Sequence, residues 1–510
     1  MTLETSPTRT NPSKALVLCA RWILRFIFSR RMLYLLIVMS TLLAIAWQVE
    51  NWRGRKRWEK TKAEILARGD SLDWRTFVPE AVPDEENAAM HPVFDMTIVP
   101  HEPGKENGGY PYMRKFNELE KKFFSDIPLE LFREQSRLDL DLWHQALLSE
   151  SAARLEKDSK RKAADILSAT SKAAAGIELI ADAFSRPRCQ WFPMADQLVE
   201  NKQRLGRISY CSSVGSSLAA TTSIRALAHL ENGNSSAAAR EIITSLRFSR
   251  SAAEDPSLTG VLLTMGMGSD ACRHLPQLLT HPNWSEGYLK ALLDSIASCS
   301  ILDHADQSLK LYRATEITYY NALLAGDPWV FDTLMRQGVI GDRRLSIAIY
   351  GIPRGWLYQN MACDVEMWFD AYLHRYDSRS NQILSPESPD PRTAVRRMRR
   401  MPSPYNILFA RLFPMISDIY QKAARVQSQW DLCSVLGALE RHRRLHGELP
   451  EKLEALVPEF LTELPHDYVT GLPPHYRIGA DGQAELATLD WDKTGDPDAF
   501  LCRVPAAPKP

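Results

Sequence analysis

RALAHLENGNSSAAAREIITSLRFSR, residues 225–250, reads as two helices folded back on each other. Small residues Ala226, Ala228 and Ala238 flank a break at Gly233, and Leu230, Ile242 and Leu246 fall at helical packing positions. A glycine of this kind ends a helix, and a break this short makes its neighbours antiparallel. Asp255-Pro256 closes the pair. The same apolar spacing extends in both directions. Upstream, LDLDLWHQALLSESAARLEKDSKRKAADILSATSKAAAGIELIADAF is rich in strong helix formers and free of proline. Further helices are expected near 196–231, 235–253, 257–279, 285–298 and 304–325, separated by breaks such as ENGN, AEDP and HPNW. The expectation is a mainly α fold with an irregular helical-hairpin body over residues 115–435.

A chain of 510 residues is long enough for more than one core. Its 62 basic and 62 acidic residues balance, so no overall field draws nucleic acid, and a nucleic-acid partner is not expected. The eight cysteines are scattered, without a C-x-x-C pair or zinc-type spacing, which reads as buried thiols.

Toward the N-terminus, MLYLLIVMSTLLAIAWQV (32–49) carries no charge between Arg31 and Glu50. A hydrocarbon core of about 30 Å takes about 20 helical residues, so this run reads as one membrane span with Trp47 and the arginines at its edges. The competing reading is a signal peptide cut after Ala44-Ile45-Ala46, but the 31 residues before the run make an unusually long leader. Basic residues lie on both sides: Lys14, Arg21, Arg25, Arg30 and Arg31 before, Arg53, Arg55, Lys56, Arg57, Lys60 and Lys62 after. Charge therefore does not orient the span. A short tail before one span places the N-terminus in the cytoplasm and the large remainder outside it. Residues 1–31 form a basic segment, in which ALVLCARWILRFIF suits the bilayer surface.

Residues 50–70 alternate in charge around Trp58, Ile65 and Leu66 and are expected to form a helical stalk. Residues 71–114 are irregular and proline-rich, expected to lie over the body through Trp74, Phe77, Phe94 and Tyr110. Residues 436–510 read as a small α+β module: a helix ended by Gly447, a short helix, then a β-hairpin of HYRIG and QAELATL around Ala480-Asp481-Gly482.

No zinc-protease, P-loop, nucleophile-elbow or kinase motif occurs. Gly266, Gly268 and Ala271 fit G-x-G-x-x-A but lack the second strand a dinucleotide fold needs, so they read as small residues at a helix contact. Asp303-His304-Ala305-Asp306 sets a histidine beside two carboxylates; an N-cap at Asp303 is the simpler reading. In PRGWLYQN, Arg354, Trp356, Tyr358 and Gln359 could form a sugar- or peptide-stacking surface, against a packed turn opening a helix. Arg396, Arg397, Arg399 and Arg400, after a proline-rich acidic piece, read either as an anion site for lipid headgroups or envelope polymer or as a solvated helix face.

Three resemblances follow. HGELPEKLEALVPEFLTELPHDYVTGLPPHYRIGADG resembles the C-terminal region of the major pseudopilins of type II secretion, where a short helix is followed by an LP-x-D-x-x-G-x-P-x-x-Y corner and a hairpin, although three residues separate Asp467 from Gly471 here. It is confined to the tail, since the pseudopilin glycine and glutamate do not precede Met32. The hairpin of 225–250 resembles one tetratricopeptide-type unit, without a repeat. The whole chain resembles a bacterial group of uncharacterised single-span helical proteins through Leu72-Asp73-Trp74, Phe77-Val78-Pro79, Val82 to Asn87 and Pro353 to Asn360, which implies membrane attachment and no particular activity. The pseudopilin resemblance implies calcium after the hairpin, where Asp490, Asp492, Asp496 and Asp498 stand. Oxygen ligands around a glycine suit that cation, yet Leu501 occupies the place of an EF-hand's bidentate glutamate, and a solvated acidic loop is the alternative. No other cofactor is indicated. Together these readings describe an envelope protein of the bacterial cytoplasmic membrane, partnered by membrane lipid and other envelope proteins, acting as an interaction or assembly scaffold. The alternative is an extracytoplasmic hydrolase of an envelope polymer, with carboxylates drawn from separate helices.

Overall fold

The computed structural model describes residues 30–94, 118–150, 161–191, 204–296, 300–327, 330, 351–384, 391–412, 419–480, 482–487 and 501–504. With 69% helix and 4% strand, the protein is mainly α, as the apolar spacing predicts. It divides into two compact units. The first takes Met1–Leu72, Glu316–Met367 and Arg392–Phe413; the second takes Asp73–Thr315, Trp368–Pro391 and Pro414–Pro510.

The first unit begins with helix α1 (Arg30–Ala67), 38 residues without a break and about 57 Å long at 1.5 Å per residue. Its apolar part, long enough to cross a membrane, has none of its surface buried in the protein. Leu33, Leu36, Ile37, Leu43 and Val49 are all exposed. From Gly54 onward the same helix is part of the fold. Gly54, Trp58, Thr61 and Ile65 are buried, and their spacing of four, three and four residues makes one seam. Trp58 and Ile65 pack on Ile317 and Tyr320 from α2 (Ile301–Ala325) and on Met361, Ala362 and Val365 from α3 (Arg354–Ala371). The segment expected as a stalk is thus a core helix of this unit. Leu66, assigned to the same stripe, faces outward with 52% of its surface exposed.

Gly54 and Gly355 let α1 and α3 cross with backbones in contact, because a Cβ on either would strike the other's main chain. The Arg57 guanidinium donates to Gln359 Oε1 at 2.8 Å and to Glu366 Oε2 at 2.6 Å, and Thr61 donates to Glu366 Oε1 at 2.8 Å. Helices α4 (Pro391–Arg400) and α5 (Ile407–Leu412) also belong to this unit.

In the second unit, α6 (Arg204–Glu231) and α7 (Ser235–Arg250) form the hairpin read from residues 225–250. Gly233 turns with φ of +73°, and Asn234 Oδ1 caps α7 by accepting from Ala237 N at 3.1 Å. The two helices also share a buried ion pair. Arg225 Nη2 lies 2.8 Å from Glu241 Oε1, with the arginine 5% and the glutamate 7% exposed. The same guanidinium donates to Thr170 Oγ1 at 2.8 Å, so both charges are satisfied inside the fold. Helix α8 (Leu258–Cys272) packs on this hairpin, and α9 (Glu286–Ile296) lies between α7 and the long α10 (Ile419–His446). The irregular segment is held through Phe94, whose ring meets Phe184, Trp191 and Phe248. Tyr110, expected beside it, lies outside the described residues.

Helix α10 ends where Gly447 adopts φ of +80°. A 3-10 turn, Leu453–Leu456, stands where a short helix is expected. Strands β3 (His475–Ile478) and β4 (Ala484–Ala487) form the expected antiparallel hairpin, and β5 (Leu501–Val504), which the sequence reading does not anticipate, extends it beyond β4. A second hairpin, β1 (Tyr376–Asp377) with β2 (Gln382–Ile383), is equally unanticipated.

Candidate functional site

Asp303, Asp306, Tyr376, Tyr420, Asp431 and Tyr468 come together in the second unit from four chain segments. Ser300 caps α2, its Oγ accepting from Asp303 N at 3.2 Å, so the expected cap at Asp303 is displaced by three residues. The Asp303 carboxylate is left to face the β1–β2 hairpin, where Tyr376 donates to its Oδ1 at 2.7 Å. The Tyr376 hydroxyl also lies 2.8 Å from Asn381 Oδ1, in a turn where Asn381 holds a positive φ of 52°. One turn further along α2, Asp306 binds Lys310 Nζ at 2.6 Å and accepts from Tyr420 at 2.9 Å. The rings of Tyr376 and Tyr420 stack with centroids 5.5 Å apart, joining the two carboxylate–phenol pairs.

Asp431, on α10, forms the third pair. It accepts from the Tyr468 hydroxyl at 2.5 Å and from Gln427 Nε2 at 3.1 Å. Gln427 in turn accepts from the backbone N–H of Ile301, linking α10 to the start of α2. Burial pushes the Asp431 carboxyl from 3.8 up to about 6, against the hydrogen bonds from Tyr468 and Gln427 and the nearby His466. The phenols of Tyr376, Tyr420 and Tyr468 move well above their ordinary value, first by burial and then by the carboxylates they face. At neutral pH they are therefore proton donors to carboxylates and not nucleophiles. The main chain joins as well, with Ile383 N–H donating to Tyr468 O at 2.6 Å and His466 Nε2 lying 3.2 Å from Asn381 O. The arrangement ties the tail to α2, α10 and the β1–β2 hairpin, and leaves Asp431 as a carboxyl that changes charge near pH 6.

His304 does not join the neighbouring carboxylates in an acid–base pair. Its Nε2 is 2.7 Å from the Asp255 carbonyl oxygen, and burial holds its pKa below the usual histidine value, so the ring is neutral. Gly266, Gly268 and Ala271 lie within helix α8, with Gly268 beneath the indole of Trp430, a helix contact in place of a dinucleotide turn. Asp490, Asp492, Asp496 and Asp498 lie outside the described residues, and among the described residues no group of His, Cys, Asp and Glu could hold a metal. Cys189, Cys272, Cys363 and Cys433 are free thiols. Burial raises the Cys363 thiol to about 12, which removes it as a nucleophile.

The aromatic stretch Pro353 to Asn360 opens α3 and faces inward. Trp356 Nε1 donates to Glu50 at 3.3 Å, Tyr358 packs against the α1 seam, and Gln359, 8% exposed, accepts from Arg57. Arg354 remains exposed. On α4, Arg396, Arg397, Arg399 and Arg400 are exposed, and Arg399 Nε donates to the Ala410 carbonyl at 2.6 Å. Sequence reasoning missed the tyrosine–carboxylate network because its members are up to 165 positions apart (303 to 468) and no local spacing links them. The D-H-A-D stretch was the one visible fragment of it. Searches against protein families, curated proteins and solved structures return no match.

Proposed function

We propose that the chain is a single-span protein of a bacterial cytoplasmic membrane, with its folded part outside the cytoplasm, serving as a binding and assembly scaffold for other envelope proteins. The observation that carries the anchor is α1 itself. One helix is exposed on every side from Leu33 to Val49 and then buried along a seam from Gly54, so the apolar run enters the first unit without a linker. What supports a scaffold over an enzyme is the use made of the charged groups. The buried carboxylates Glu241, Asp306 and Glu440 each meet basic partners of the same fold. The hydrolase reading keeps one observation in its favour, the Asp431 carboxyl near 6, a value suited to a general acid. Crosslinking of native membranes followed by capture of the full chain and quantitative mass spectrometry tests the proposal. A reproducible set of envelope proteins linked to exposed lysines of the second unit is expected. Capture of the chain alone, together with loss of a polymer-degrading activity in the Asp431→Asn variant, would replace the scaffold with the hydrolase.

A further inference from the structure

The first unit carries an arginine-rich surface whose position relative to the apolar end of α1 is fixed by a chain of contacts. Glu50, the first charged residue after the apolar run, receives the Trp356 indole N–H at 3.3 Å, and Asn51 Oδ1 receives Gly355 N–H at 2.9 Å. The first turn of α3 therefore lies at the level where the apolar surface ends. Trp356 meets the Tyr405 ring edge-on at 6.4 Å, and Asn360 Nδ2 donates to the Pro404 carbonyl at 2.8 Å. Asn360 Oδ1 also accepts from Leu408 N at 3.0 Å and Phe409 N at 3.2 Å, which holds residues 404–409 against the first two turns of α3. Helix α4 runs directly into this segment. Val395 is fully buried, and Arg399 is committed to the Ala410 carbonyl, so the helix is held in one orientation. That orientation leaves Arg396, Arg397 and Arg400 exposed, with Met401 at the helix end 73% exposed.

Residues 391–412 contain no aspartate or glutamate to neutralise these arginines. On α1, Trp52 is 62% exposed with Lys56 over its ring, beside exposed Arg53 and Arg55. A lipid headgroup layer reaches about 5–7 Å beyond the hydrocarbon, about four helical residues past Val49, which takes in Trp52 and Arg53 on α1. Tryptophan and tyrosine favour that layer, and an arginine fork matches a phosphate diester. We propose that Arg396, Arg397 and Arg400 dock α4 onto anionic phospholipid headgroups of the bilayer crossed by α1, with the Met401 side chain dipping between them. The inference rests on the membrane-spanning reading of α1.

The test reconstitutes the full chain in phosphatidylcholine vesicles containing a minor share of phosphatidylglycerol and measures, by spin-labelled lipids, how strongly each species is held at the protein surface. Arg396→Gln/Arg397→Gln/Arg400→Gln is compared with the parent and with Arg53→Gln/Arg55→Gln. The parent should select phosphatidylglycerol, and the α4 triple variant should lose about 100-fold of affinity at its tightest lipid site, about fivefold for each arginine. High salt should weaken the parent's selectivity in the same direction. Equal retention of the two lipids by the parent, or selectivity unchanged in the triple variant, would overturn the proposal. Loss of retention on a soluble polyanionic polymer with unchanged lipid selectivity would assign the arginines to the polymer and overturn it too. A chain washed off the vesicles by alkali would bring down the anchor reading and this proposal together, whereas a chain that stays without selecting lipid would bring down this proposal alone.

Discussion

At the scale of single residues, two buried titratable groups pull stability in opposite directions over one pH range. Asp431 holds its proton more tightly folded than unfolded, since burial raises its pKa from 3.8 to about 6. Its contribution favours the fold below pH 4 and is lost as pH rises toward 6. His274, whose Nε2 lies 3.2 Å from the Phe132 carbonyl, is lowered from 6.5 to about 4, chiefly by burial. Its contribution is present above about 6.5 and is lost as pH falls toward 4. The slopes mask each other in the parent protein and separate in variants. Unfolding by urea at pH 4.5 and pH 7 should show Asp431→Asn gaining on the parent by about 2 kcal/mol between the two values; a constant difference would show that Asp431 is not held near 6. Charge removal inside the hairpin is a second residue-scale case. Arg225→Met leaves Glu241 buried without its guanidinium and should cost about 3–5 kcal/mol in the same unfolding experiment. A loss below 1 kcal/mol would mean that water reaches the pair. The sequence showed Arg225 and Glu241 only as polar positions in an apolar pattern, because which of two facing helices buries a charge depends on their register.

At the scale of elements, helices separated by glycine and proline were legible and irregular pairings were not. The Gly233 turn, the α6–α7 hairpin and the stop at Gly447 follow from backbone chemistry that the sequence carries locally. The β1–β2 hairpin has two residues per strand and a turn led by Asn381, too short for any alternation to register. On α1 the apolar pattern picked out Trp58 and Ile65 but not Gly54 and Thr61, the small positions that let α3 approach. That is why the segment read as a stalk. Gly355→Ala tests the crossing, because its methyl meets the Glu50 carbonyl and neither backbone can yield. A loss of about 1–3 kcal/mol or more is expected, read as faster limited proteolysis of the first unit. Proteolysis at the parental rate would contradict the close crossing. Arg53→Pro removes a helical hydrogen bond between the apolar run and the seam, at a cost of about 3 kcal/mol. New cleavage near residue 53 in membranes is the expected sign, and an intact helix there would mean that the two parts of α1 are not mechanically continuous.

At the scale of the whole molecule, the mainly α class and the long apolar helix near the N-terminus were readable from periodicity and length, whereas the division into two units was not. Each unit gathers distant stretches of chain, and two of the boundaries fall inside helices, between Thr315 and Glu316 in α2 and between Met367 and Trp368 in α3. A helix that serves two cores shows one uninterrupted period, so no composition change marks either boundary. The proposed membrane attachment rests on α1 crossing a bilayer and passing straight into the first unit. A nitroxide scan of positions 32–66 in the reconstituted full chain tests this, recording accessibility to oxygen and to a water-soluble relaxation agent at each site. Oxygen access is expected at every position from 33 to 49, deepest near the middle and without helical periodicity, followed by a period of three to four residues with protection at 54, 58, 61 and 65. Periodic protection within 33–49, or water access throughout that run, would contradict it.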